Sequence, residues 1–211
     1  MRRFALCLGV FALVTGVVLA APEPAVVQSS GKWTLDVSFE NLGQFVYRAG
    51  ETSKPERYWY VILTLTNKTG QDADFYPACE LVTDTFQVLA ADKGTSAGLF
   101  DKLKARHQGK YPYLELLESA GSKILEGDDN TKDILILWRD FDPNAKSLKL
   151  YISGLSNETV AVDHPSKKDD NGQPVKVYLR KTLELSYRIS GDPALRANQK
   201  VAFVSKRWVM R

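Results

Sequence analysis

The 211-residue chain is poor in the side chains that staple or metallate small folds. It holds two cysteines, two histidines and two methionines. Cys7 sits in the apolar opening stretch, so only Cys79 remains beyond it. A single cysteine closes no internal disulfide, and the core must hold without a covalent staple. Cys79 therefore reads as a small buried apolar residue. With so few soft ligands no zinc site is expected, nor any other metal or cofactor. An excess of one charge is missing as well. Once Arg2 and Arg3 are set aside, 26 Lys and Arg face 25 Asp and Glu, a net of +1. That balance argues against a general nucleic-acid binder, which would be far more basic.

Long apolar runs are absent after residue 21, and the one at the start has a specific form. Met1-Arg2-Arg3 gives a positive end, residues 4–19 carry no charge, and Val18 and Ala20 are small. This is the pattern of a secretory signal peptide over residues 1–20, with cleavage before Ala21 and export to the periplasm or the extracellular space. The competing reading is an uncleaved membrane anchor, since residues 4–21 reach the roughly 18 apolar residues of a spanning helix. Pro22, Pro24 and the small residues near the junction favour cleavage. Leu6 before Cys7 is too large for a lipid-modified cysteine.

Residues 21–31 read as a flexible lead, and residues 32–211 as one domain, long enough to bury about 70% of its unfolded surface. Trp33, Leu35, Val37 and Phe39 alternate with polar residues, the period of a strand with one buried face. Residues 41–56 are turn-rich. Residues 58–66 (Tyr-Trp-Tyr-Val-Ile-Leu-Thr-Leu-Thr) begin apolar on both faces, which predicts a central strand ended by Asn67-Lys68-Thr69-Gly70. Phe75 and Tyr76 start a short extended piece halted by Pro77. Residues 81–89 read as a strand with Val82, Phe86 and Val88 inward. Residues 96–109 break the alternation: Leu99, Phe100 and Leu103 are helically spaced, with Ser96 to cap and Gly109 to close. Residues 111–118 fit strand or helix equally, and residues 126–130 read as a turn. Strands follow at 133–138, 148–153 and 159–162. Val175, Val177, Leu179, Leu183, Leu185, Tyr187 and Ile189 all fall on odd positions, with Lys181 the exception. They predict a long half-buried strand, bent near Arg180-Lys181, that pairs with residues 201–210 as a hairpin. Many short strands and a single helix predict an all-β, antiparallel sandwich, and the strand–helix alternation of a parallel sheet is absent.

Residues 60–70 (Tyr-Val-Ile-Leu-Thr-Leu-Thr-Asn-Lys-Thr-Gly), then Phe75, then Leu81-Val82-Thr83-Asp84, resemble a pattern of immunoglobulin-like domains of unknown function in exported bacterial proteins. Gly127 followed by Ile134-Leu135-Ile136-Leu137-Trp138 is similar to that pattern's later glycine turn and aliphatic strand, with Glu126-Gly127-Asp128 in place of the usual Pro-Gly-Glu. The resemblance spans residues 58–153. It implies an immunoglobulin-like β-sandwich in the envelope or outside the cell, and no catalytic residues. Residues 90–120, as a short helical insert, and the C-terminal β-hairpin depart from it.

Three signals bear on function. Gly94-Thr95-Ser96-Ala97-Gly98 has the spacing of a nucleophile elbow, in which flanking glycines let a tight turn expose the serine. An exported serine esterase would use Ser96 as nucleophile, His164 as base and Asp163, or Asp140 or Asp142, as its support. Against this, Asp92 and Lys93 stand where an apolar strand should enter the turn, and the plain reading of Ser96 is a helix cap. The second signal is basic. Lys102, Lys104, Arg106, His107 and Lys110 cluster beside Tyr111 and Tyr113, and two further groups lie at Lys167, Lys168, Lys176, Arg180, Lys181 and at Arg196, Lys200, Lys206, Arg207, Arg211. Such clusters suit a protein partner or an anionic envelope polymer. They also suit solvated faces and guarded sheet edges. The third is acidic: Asp128-Asp129-Asn130 with Asp133, and Asp169-Asp170-Asn171-Gly172. Neither has the spacing or distant bidentate Glu of a calcium loop. Weighed together, these signals predict a non-catalytic binding or structural module, with its specific contacts on residues 90–120.

Overall fold

The computed structural model describes residues 31–93 and 95–211. Residues 1–30, on which the expected signal peptide and most of the expected lead fall, and Gly94 lie outside the described residues. No helix among the described residues is long and apolar enough to cross a membrane.

Thirteen strands form the frame of the described residues. They are β1 (Asp36–Phe39), β2 (Gly43–Tyr47), β3 (Glu56–Asn67), β4 (Ala73–Asp74), β5 (Ala78–Thr83) and β6 (Val88–Ala90). After the helix α1 (Ala97–His107) come β7 (Glu115–Leu116), β8 (Lys123–Ile124), β9 (Gly127–Arg139) and β10 (Ser147–Ser153). β11 (Thr159–Lys168), β12 (Pro174–Ser190) and β13 (Lys200–Met210) complete the chain. The first sheet runs β1-β3-β9-β7, with β2 beside β1 on the same edge of β3. The second runs β11-β12-β10-β5-β6, with β13 on the other edge of β12. All pairings are antiparallel except that of the two-residue β7 with β9. A small β4–β8 pair stands apart.

The two sheets bury their inner faces against one another. Trp59, Val61, Leu63, Leu65, Ile134, Ile136 and Trp138 come from the first, and Leu81, Leu148, Leu150, Ile152, Leu183, Leu185 and Tyr187 from the second. The two-residue period of β3, β9 and the second half of β12 dictates this, because alternate side chains leave opposite faces of a strand. β3 and β9 are apolar on their other face too, and there a second cluster forms. Tyr58, Tyr60, Ile62, Leu135 and Leu137 pack against Leu99 and Leu103 of α1 and against Tyr111 and Leu114. Residues 99–116 thus cover the back of the first sheet, while the second sheet keeps an open outer face.

Several expectations change in detail. Residues 81–89 are not one strand with Val82, Phe86 and Val88 inward. Pairing of Leu81 with Leu150 turns Cys79, Leu81 and Thr83 to the core, and residues 84–87 form a hairpin turn. Phe86 occupies that turn at φ 64°, 93% exposed, and Val88 is 56% exposed. The acidic turn at 126–130 is instead a bulge that opens β9, where pairing jumps from Leu65–Lys132 to Asn67–Gly127. β11 extends well past residue 162, to Lys168. β12 changes partner near Arg180-Lys181, where the bend was expected. Its second half lies between β10 and β13, whereas residues 174–179 pair only with β11. β11 and that first half form a two-stranded ribbon exposed on both faces, so Val175 and Val177 are not buried.

Candidate functional site

The helix α1 carries the predicted cluster and is built from local rules. The Ser96 hydroxyl accepts the Leu99 amide at 3.3 Å, satisfying one of the donors a helix start leaves open. Leu99 and Leu103, four residues apart, point into the second apolar cluster. Lys104, Arg106 and His107 fall in the last turn, where positive charge complements the helix dipole. Gly98 lets the first turn approach β2, since a Cβ there would stand 2.6 Å from the Tyr47 hydroxyl.

α1 runs alongside β2, and its basic side chains lie in register with aromatic ones. The Lys102 amine is 5.5 Å from the ring centre of Tyr47, and the Arg106 guanidinium 5.9 Å from that of Phe45. Lys102 and Arg106, at i and i+4, share one helix stripe, and Phe45 and Tyr47 share one face of β2. Lys110 continues the row at 5.2 Å from Tyr111. Lys104 leaves by another side, over Phe100 at 5.7 Å. Beneath the row His107 Nε2 and the Tyr60 hydroxyl are 2.9 Å apart. Burial, aided by Arg106, holds the His107 pKa below its usual value, and burial raises that of Tyr60. Glu40 closes the far end, accepting hydrogen bonds from Lys110 and from the Tyr111 hydroxyl. Those two bonds hold the Glu40 carboxyl below its ordinary range despite partial burial.

The structure therefore divides the predicted residues. Lys102, Arg106 and Lys110 form one strip. Tyr111 is buried beneath it, His107 is an inner support, Lys104 is set apart, and Tyr113 is 82% exposed at the margin. Phe45 and Tyr47 were missed in a segment that read as turn-rich, although Phe45-Val46-Tyr47 carries the two-residue period.

In the other two basic groups Lys167, Lys168, Arg180 and Lys200 also make no ion pair among the described residues, and the remaining members are engaged within the fold. Lys176 pairs with Asp163 and Lys181 with Glu158, both on the ribbon or at its base. Arg196 stacks on Phe141 at 4.4 Å and donates to Asp140, which also accepts from the Trp59 indole. Arg207 grips Glu184 through two hydrogen bonds, Arg211 pairs with Glu80, and Lys206 donates to the Val37 carbonyl. Lys102, Lys104 and Arg106 make no ion pair among the described residues.

The residues of the esterase reading are dispersed over separate hydrogen-bond networks. Ser96 caps α1. His164 lies on the ribbon, its Nδ1 accepting the amides of Ser166 and Lys167, and Asp163 faces Lys176. No hydrogen bond joins the three among the described residues. The Asp169 carboxylate accepts the amides of Asn171 and Gln173 and shapes the turn before β12, while Asp128 pairs with Lys68. No group of three or more His, Cys, Asp or Glu side chains converges among the described residues. Comparison with known protein families, curated proteins and solved structures gives no match.

Proposed function

We propose that this chain is an exported, non-catalytic binding module, an immunoglobulin-like sandwich that holds an anionic envelope polymer against the α1–β2 face. One observation carries the reading: Lys102 and Arg106, which make no ion pair among the described residues, are aligned over the rings of Tyr47 and Phe45, whereas the equally unpaired Lys167, Lys168, Arg180 and Lys200 have no ring contact among the described residues. Aromatic faces hold the aliphatic stems and leave the charged heads toward solvent. A polymer with regularly spaced anions gains from such a row because each step adds a contact without a new ordering cost. The sandwich serves as a rigid platform, and the two clusters on opposite sides of β3 and β9 fix α1 against it. Export agrees with the reading, since envelope polymers are met outside the cytoplasm.

Titration with inorganic polyphosphate, followed by calorimetry, tests it. The wild-type chain is expected to bind with an affinity that falls as salt rises, because condensed counterions are released. Lys102→Ala with Arg106→Ala should weaken binding by about tenfold or more, roughly 1.4 kcal/mol or above. Lys176→Ala, on the ribbon, should change little. Equal affinity of the double variant and the wild type removes the strip from the account.

A further inference from the structure

The edge of the second sheet at β6 differs from the sheet edges at β13 and β1. β13 is guarded by a bulge between its pairings at Phe203 and Ser205 and by Lys206 and Arg207. At β1 the Val37 carbonyl is taken by the Lys206 amine. β6, Val88-Leu89-Ala90, has no charge, proline or bulge, and an edge bare of such devices is a template for another strand. Its ladder with β5 is anchored at Thr83–Gln87 and at Cys79–Ala91. Antiparallel alternation then turns the N–H and C=O of Val88 and Ala90 away from β5, and both residues are exposed.

That edge opens on a groove of about 550 Å³, one wall of which is supplied by residues 90–93 and 117–118 of the insert. Phe75 and Cys79 floor it, Leu117 and Pro77 flank it, and Tyr76 stands at its mouth 70% exposed. Small residues at Ala90 and Ala91 leave room for a bulky side chain entering from outside. Beyond the groove Val88, and Phe86 in the turn before β6, extend an apolar margin. The lining carries the carboxylates of Glu80, Asp92 and Glu118 against the single amine of Lys93; Glu80 and Asp92 also have ion-pair partners in Arg211 and Arg139, outside the lining.

We propose that β6 accepts an extended, positively charged peptide segment of a partner protein as an additional strand. The segment pairs with the outward backbone groups of Val88 and Ala90, places an apolar side chain in the groove, and sets its basic side chains against the acidic lining. Backbone pairing supplies the affinity and the groove the selectivity, as in strand addition generally. This site lies on a different sheet from the cationic strip and stands whether or not that strip binds a polymer.

The probe is the synthetic peptide acetyl-Lys-Phe-Thr-Val-Thr-Leu-Arg-amide, titrated into the full chain with amide hydrogen exchange as readout. Saturable binding that slows exchange at Val88 and Ala90 by about tenfold, roughly 1.4 kcal/mol of protection, is the expected result. Val88→Pro removes an outward donor and leaves the β5 ladder intact, so it should abolish binding while the chain stays folded. A peptide N-methylated at alternate amides makes the same test on the unaltered protein and should not bind, and one with Glu for Lys and Arg should bind at least severalfold more weakly. Protection on β13 or β2 instead, equal binding of the N-methylated peptide, no saturable binding, or an edge occupied by self-association through β6 would overturn the proposal.

Discussion

At the scale of single residues, polar side chains in unusual places explain themselves by what they hold. Asn67 is fully buried at the end of β3, where its amide donates to the Gln71 and Ile124 carbonyls and its oxygen accepts the Thr69 amide. It ties the turn after β3 to β8, which gives a physical reason for an Asn at the end of that strand motif. Glu184 faces the outer side of the second sheet yet is 3% exposed, covered by the groups that pair with it. Burial pushes its carboxyl up, but bonds from Arg207 and Lys149 outweigh that and hold it at about 2. Its folded pKa lies below the ordinary 4.5, so the stabilisation is present above that value and is lost as pH falls toward 2. Glu184→Gln should therefore cost about 1–2 kcal/mol at neutral pH, less than a deeply buried pair because Arg207 and Lys149 reach water. Urea unfolding across pH should show this gap closing between 4.5 and 2. A gap that persists in acid would show that packing, not charge, sets it. Pairings like this one are illegible in sequence, because they join strands 20 or more residues apart.

At the scale of elements, local period was a good guide wherever one face of a strand meets the core. It located β1, β3, β9, β10 and the second half of β12, and the cap and spacing at residues 96–103 located α1. It misled where register decides: Val82, Phe86 and Val88 have the right spacing, but cross-strand pairing fixes which parity faces inward. It also misled in the ribbon, where Val175 and Val177 keep the odd-position pattern without a sheet to cover them. The glycine-flanked Ser96 shows how a local motif can serve a plain end. Its hydroxyl caps α1, and Gly98 makes room for Tyr47. Ser96→Ala should accordingly lower stability by about 1 kcal/mol in thermal or denaturant unfolding. Loss of an ester-hydrolysing activity with stability unchanged would assign the serine to chemistry instead.

At the scale of the molecule, the chain is two antiparallel sheets face to face, with α1 and its flanking loops as a third layer behind the first sheet. The third layer is why β3 and β9 are apolar on both faces, and it converts residues 90–120 from an apparent surface insert into part of the structure. Its outward side then bears Lys102 and Arg106, which make no ion pair among the described residues and lie over Tyr47 and Phe45. The all-β, mainly antiparallel class with one short helix was legible in the sequence, and so was the run of basic residues along α1. Their alignment over Phe45 and Tyr47 was not, because it depends on how α1 lies along β2. The most direct test of the account is a residue-resolved NMR map of the chain titrated with inorganic polyphosphate. The account predicts amide shifts concentrated in residues 43–48 and 99–113, fading as salt is raised. Shifts centred on the second sheet or the β11–β12 ribbon, or the same pattern undiminished at high salt, would contradict it.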